Sequence, residues 1–173
     1  MAIDVVWFKR DLRIRDHAPL LAAAASGRPI LCLMLLEPLR IKQPDVDPIH
    51  LQWELDVAER LDRDLRRRGG ALHVVHADAV EALSSLHDKH AVHTVHAHEE
   101  TGVQWSYDRD KDVASWCMEN GVGFVEHPNN GVIRRLQDRD GWKDARDARV
   151  ASPLLEAPSV SYTHLTLPTR LMV

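Results

Sequence analysis

The chain is short of the residues that usually announce a specialised class. Two cysteines, Cys32 and Cys117, occur in 173 residues, and neither stands in a CxxC or zinc spacing. That excludes a disulfide framework and a cysteine-rich metal site, and both are expected to be reduced core residues of a cytoplasmic protein. The longest apolar run, "ILCLMLL" at 30–36, has seven residues, against the ~20 that span a bilayer. Asp4 interrupts the first apolar stretch, so no signal-peptide pattern opens the sequence. Neither sign of charge dominates: 22 Lys and Arg stand against 26 Asp and Glu, a net charge of −4. This balance gives no global electrostatic case for binding nucleic acid or a membrane. Residues 7–17 contain no glycine, which excludes a Rossmann fingerprint or a P-loop after the first apolar run.

The sequence does contain a regular alternation of two periods. An apolar share of 45% is enough for one core. Short continuous apolar runs at 3–8, 30–36, 71–76, 91–97 and 122–125 read as five buried strands. Between them, residues 17–26, 50–68, 79–88 and 104–120 read as helices. Leu51, Leu55, Ala58, Leu61 and Leu65 are spaced along one face of the second helix. Asp78 suits the N-cap of the third, and Gly121 the C-terminal stop of the fourth. Strand–helix alternation of this kind predicts an α/β, Rossmann-like domain, a five-stranded parallel sheet with helices on both faces. The predicted domain covers residues 1–128, and 129–158 begins an interdomain linker. Residues 159–173, with one formal charge at Arg170, fit neither and read as a non-native or disordered tail.

Chemistry concentrates where the first strand meets the first helix. In "DVVWFKRDLRIRDHAPL", Lys9, Arg10, Asp11, Arg13, Arg15 and Asp16 fall within eight positions. Open α/β sheets bind ligands at the carboxyl ends of their strands, and without glycine there, side chains must do the binding. An ion-pair rim closing the sheet is the alternative.

The same stretch resembles the first strand, loop and helix of the photolyase/cryptochrome family, whose pattern is an aromatic pair, two basic residues, Asp-Leu-Arg, an Asp a few positions on, and an Asn or His after it. Here these are Trp7, Phe8, Lys9, Arg10, Asp11, Leu12, Arg13, Asp16 and His17. "LLEPLR" at 35–40, "HEETGVQWSYDRD" at 98–110 and "GVIRRLQDRDGWKDARDARVASPLLEAP" at 131–158 are similar to later family segments. The resemblance covers residues 1 to about 158. It implies the N-terminal α/β domain, which in this family holds a light-harvesting antenna chromophore. The catalytic FAD and the surface for damaged DNA belong to a following helical domain, to which nothing here corresponds. The implied antenna residues are Arg10, Asp11, Leu12, Glu37, Glu99 and Glu100. The implied chromophore is a deazaflavin or flavin. A folate is disfavoured, because Trp105 and Ser106 stand where some relatives carry an Asn-Glu pair. The fragment by itself is expected to catalyse nothing. A signalling role of the cryptochrome kind, or a stand-alone nucleotide-binding or electron-carrier module, remains open.

Other features have plainer readings. "HDKHAVHTVHAH" contains His87, His90, His93, His96 and His98, but alternation along a strand should point His93 and His96 apart, so no metal site is expected. "RLDRDLRRRGG" interleaves acids with its arginines and reads as a solvated helix face ending at Gly69. Trp7, Trp53, Trp105 and Trp116 read as core packing.

Overall fold

The structure, a computed structural model, describes residues 2–129, 131–134, 136 and 138–159. The expected tail therefore lies almost wholly outside the described residues. Five strands form a single parallel sheet: β1 (Ile3–Phe8), β2 (Ile30–Leu35), β3 (Leu72–Val75), β4 (Val92–His98) and β5 (Gly123–His127). Their order is β3-β2-β1-β4-β5. The long helices are α1 (Ala18–Ala25), α3 (Pro48–Arg66), α4 (Ala79–His90) and α5 (Gln104–Glu119), with a short α2 (Pro38–Ile41) after β2. The expected sheet and four helices are present with ends shifted by one or two residues. A further helix, α6 (Trp142–Val150), lies within the stretch expected to begin a linker.

The sheet is covered on both faces, as the near-continuous apolar strands require. Val5, Trp7, Leu33, Val95 and Ala97 pack with Leu83 and Leu86 of α4 and Val113 and Trp116 of α5. On the other face Val6, Phe8, Cys32 and Met34 pack with Leu20 of α1 and with Ala58, Leu61 and Leu65 of α3. Both cysteines are buried and free. The buried stripe of α3 runs through Glu54, Ala58, Leu61 and Leu65. Trp53 lies one position off that stripe and is 65% exposed, which corrects its reading as a core residue.

A second correction concerns the histidines. Ile3 pairs with Val92, but Asp4 pairs with Thr94, so β4 carries one extra residue, His93, at a bulge. The bulge resets the alternation. Val92 thus faces the same core as Val95 and Ala97, while His93 and His96 both turn toward Asp4 instead of pointing apart.

The segment after β5 returns to the body of the domain. The Asp16 amide donates to the Leu155 carbonyl at 2.7 Å, Arg15 pairs with Glu156 at 3.0 Å, and Arg68 reaches the Ala157 carbonyl at 3.1 Å. The strand order reverses at β1, so the crevice at a switch point lies beyond the carboxyl ends of β1 and β4.

Gly69 and Gly121 both adopt positive φ just after α3 and α5, the conformation expected of helix stops. Helix α4 ends instead on Ala91, at φ 50° and ψ 71°. A non-glycine residue there costs ~1–2 kcal/mol, and glycine loses ~0.5–1 kcal/mol of that advantage in the unfolded chain. Ala91→Gly should therefore raise stability by about 0.5–1 kcal/mol, seen as a higher urea midpoint at unchanged slope. A lower midpoint would contradict the strain at this cap.

Candidate functional site

The loop after β1 is organised by the buried Asp11. Its Oδ1 accepts the Lys9 amide at 2.8 Å. Its Oδ2 accepts from His17 Nε2 at 2.8 Å and from His98 Nδ1. His17 also caps α1, with Nδ1 accepting the Leu20 amide at 3.1 Å. That cap fixes the tautomer, so Nε2 carries the proton given to Asp11. Burial pushes the Asp11 carboxyl up, but the hydrogen bonds from His17 and His98 outweigh it and hold the group well below the usual carboxylate range. Asp11, His17 and His98 lie close enough to hold a metal ion. Asp11 and His17 have spent their donors and acceptors on one another, on His98 Nδ1, on the Lys9 amide and on the cap, so the arrangement is a hydrogen-bonded knot joining the β1 loop, α1 and β4.

A second cluster surrounds Arg109 of α5. Its guanidinium lies 4.7 Å from the ring of Trp7 and 5.5 Å from that of Trp105. It donates to Glu37 at 2.5 Å, to Glu100 at 3.3 Å and to Asp110 at 2.8 and 3.0 Å. Lys9 lies over Trp7 at 4.6 Å and bonds Asp110 at 2.5 Å and the His98 carbonyl at 3.0 Å. Glu100 Oε1 accepts the Thr101 and Gly102 amides at 3.0 and 2.7 Å, which shapes the β4–α5 loop. A Cβ at Gly102 would sit 2.8 Å from that same oxygen. Burial pushes the Glu37 carboxyl up, and the Arg109 charge only partly offsets it.

Two cavities open at this edge and share Arg10. One, about 320 Å³, lies among Arg10, Glu99, Glu100 and Asn129. The other, about 290 Å³, lies among Arg10, Arg40, His50, Trp53 and Glu54. Arg40 and Glu54 form a buried ion pair, and Glu54 Oε2 has no hydrogen-bond partner among the described residues. Arg10 is exposed and makes no ion pair with any described residue.

The six residues expected to bind a ligand thus divide. All except Leu12 gather at one edge of the sheet. Leu12 is half-buried and packs into the α1/α3 core. Asp11, Glu37 and Glu100 are buried and committed to protein partners. Glu99 pairs with Arg134 at 3.4 Å. Arg10 faces both cavities. Sequence reasoning missed Arg40, Glu54, Trp53 and Arg109. The "YDRD" segment contained Arg109, but its link to Glu37 spans 72 residues and carries no local signal.

A doubly wound α/β domain with a charged crevice at its switch point is the class defined so far. The model of the DNA photolyase family matches residues 4–157, and the chain belongs to that family. Deoxyribodipyrimidine photo-lyase of Thermus thermophilus is 39% identical over 71 residues, covering 41% of this chain and 16% of that protein. An uncharacterized 31.6 kDa protein of a Synechococcus species is 24% identical over 125 residues, covering 72% of this chain and 43% of that one. Among solved structures, a Synechocystis cryptochrome matches with TM-score 0.78 at 18% identity, covering 94% of this chain and 37% of its own. An archaeal photolyase from Sulfolobus tokodaii, solved with two FAD molecules, matches with TM-score 0.76 at 20% identity, covering 93% and 39%. At these identities the structural likenesses show the fold. This chain spans less than half the length of each of these proteins. Among the described residues, no helix is long and apolar enough to cross a membrane.

The buried imidazoles set an acid limit on stability. Burial lowers the pKa of His17 and His96, and takes His127 down to about 4. The folded state therefore binds fewer protons than the unfolded one, whose imidazoles titrate near ~6.5. Stability should fall as pH drops from about 6.5 toward 4. Loss of the Asp11 contribution follows below the ordinary carboxylate range. Urea midpoints measured from pH 7.5 to 4 check this, and a flat profile over that window would contradict it.

Proposed function

We propose that this chain is the light-harvesting domain of a photolyase or cryptochrome, holding a flavin or deazaflavin antenna chromophore beside Arg10. The observation that carries this reading is the cavity among Arg10, Trp53 and Glu54. It combines a cation and a buried carboxylate oxygen that have no partner among the described residues with an exposed indole. A planar, anionic ring with an imide N–H matches all three: the indole stacks, Arg10 meets the negative charge, and Glu54 accepts the N–H. The other charges at the edge act as scaffold, since Glu37, Glu100 and Asp110 are held by Arg109 and Lys9. Folate fits less well. Trp105 is stacked on Arg109, and the buried Ser106 donates its hydroxyl to the Val103 carbonyl at 2.7 Å. Support also comes from the Sulfolobus tokodaii relative, whose two FAD molecules are described as implying a novel light-harvesting cofactor.

In this reading FAD chemistry and contact with damaged DNA reside in a helical domain of the same protein. The domain described here absorbs light and passes the energy on. Repair and signalling then differ outside this domain, consistent with its likeness to both photolyases and a cryptochrome.

Charge-assisted hydrogen bonds contribute ~1.5–3 kcal/mol. Arg10→Ala should therefore weaken binding of FMN or a deazaflavin by roughly ten- to a hundredfold in a fluorescence titration. Unchanged affinity would remove Arg10 from the site. The 173-residue chain alone should release no FAD on denaturation and reverse no pyrimidine dimers under blue light. Dimer reversal above a no-protein control would overturn this division of labour.

A further inference from the structure

We propose that the turn from Arg13 to Asp16 is a releasable latch, which clamps the chain at 150–157 over a cavity at the carboxyl edge of the sheet and lets that strap open as a unit while the sheet stays folded. The device is independent of the antenna reading. The charges of the β1 loop divide here. Lys9, Arg10 and Asp11 line the ligand edge, whereas Arg13, Arg15 and Asp16 receive the returning chain.

Asp16 stands at φ 53°, the left-handed region that a non-glycine residue enters at a cost and that Asp and Asn tolerate better than Ala. In that conformation its amide donates to the Leu155 carbonyl at 2.7 Å, and its Oδ1 accepts the Leu155 amide at 3.4 Å. Arg13 holds the turn closed, donating from Nε and Nη2 to the Asp16 carbonyl at 3.0 and 2.8 Å. The same Nη2 donates to Asn129 Oδ1 at 2.9 Å. One guanidinium thus ties the exit of β5 to the turn that receives the strap. Docking of the strap and the strained conformation of the turn favour one another.

Burial contributes little to holding the strap. No residue from 138 to 159 is buried, and α6 itself buries none. Beneath Val150 and Leu154 lies a cavity of about 420 Å³ that also meets Arg13, Asp16, His98 and Asn129. Arg15 pairs with Glu156, but these side chains are 62% and 81% exposed, and such pairs hold little. A segment kept in place by a few hydrogen bonds without apolar burial opens more readily than the core beneath it. Opening bares the cavity and its His98 wall.

The test is limited trypsin digestion of the full chain, with cleavage after Arg149 in α6 and after Arg60 in α3 followed by mass spectrometry. When opening and closing are fast, the rate reads the population of the open form. Asp16→Ala should speed cleavage after Arg149 by about fivefold or more and leave cleavage after Arg60 unchanged. Arg13→Gln should do the same. Asp16→Asn keeps both the acceptor and the tolerance of positive φ, so it should stay within about twofold of the wild-type rate. Arg15→Gln should stay there too, to within about twofold, because its ion pair is exposed. If Arg13→Gln does not fold, Asp16→Ala at the half-buried turn decides the matter. An unchanged rate after Arg149 in Asp16→Ala, an equal rise after Arg60, or a rise in Asp16→Asn or Arg15→Gln matching that in Asp16→Ala would each overturn the latch.

Discussion

The guanidinium of Arg109 joins more elements than any other described group at the carboxyl edge of the sheet. It lies on Trp7 of β1, bonds Glu37 at the end of β2, bonds Glu100 at the end of β4, and neutralises Asp110 beside it on α5. Three carboxylates and a lysine within one partly buried cluster would be costly if any were unpaired. Arg109 makes the cluster self-consistent, because a planar fork can serve several acceptors at once while its face stacks on indole. Burial alone would lower its affinity for a proton, yet Asp110 and Glu37 outweigh that and hold it charged. The shape of the crevice follows from this one group. Glu100, held by Arg109, in turn holds the two amides that open the β4–α5 loop.

The Asp11 knot does the corresponding work on the other side of β1. It couples a strand-end loop, a helix cap and a neighbouring strand through one carboxylate. With these charges held by the two clusters, Arg10 makes no ion pair with any described residue. The scaffold absorbs almost every charge in the motif, and Arg10 is what it leaves over.

Much of the fold was legible because its signals are local. The apolar runs at 3–8 and 30–36, and the Leu61 and Leu65 spacing, report burial on two faces without any knowledge of partners. Trp53 was misread because a helical stripe has width, and only packing shows that Glu54, paired with Arg40, takes the inward position. His93 and His96 were misread because alternation assumes an unbroken ladder, and a bulge depends on the register between two strands, here set by Ile3 against Val92 and Asp4 against Thr94. The candidate site was legible as a place more than as a set of roles. Five of its six expected residues gather at the predicted edge, yet four of those five are taken up by other protein side chains.

The sequence by itself determined the strand–helix alternation, the parallel sheet, the family and the location of the charged edge. These follow from periodicity and from a contiguous motif, which are properties of neighbours along the chain. Tertiary structure decided which charges are spent and which are offered. Pairings such as Arg109 with Glu37, Asp11 with His98, and Lys9 with Asp110 each cross more than seventy positions. An ionic side chain is satisfied by whatever folding brings within about 3 Å, and no local pattern encodes that distance.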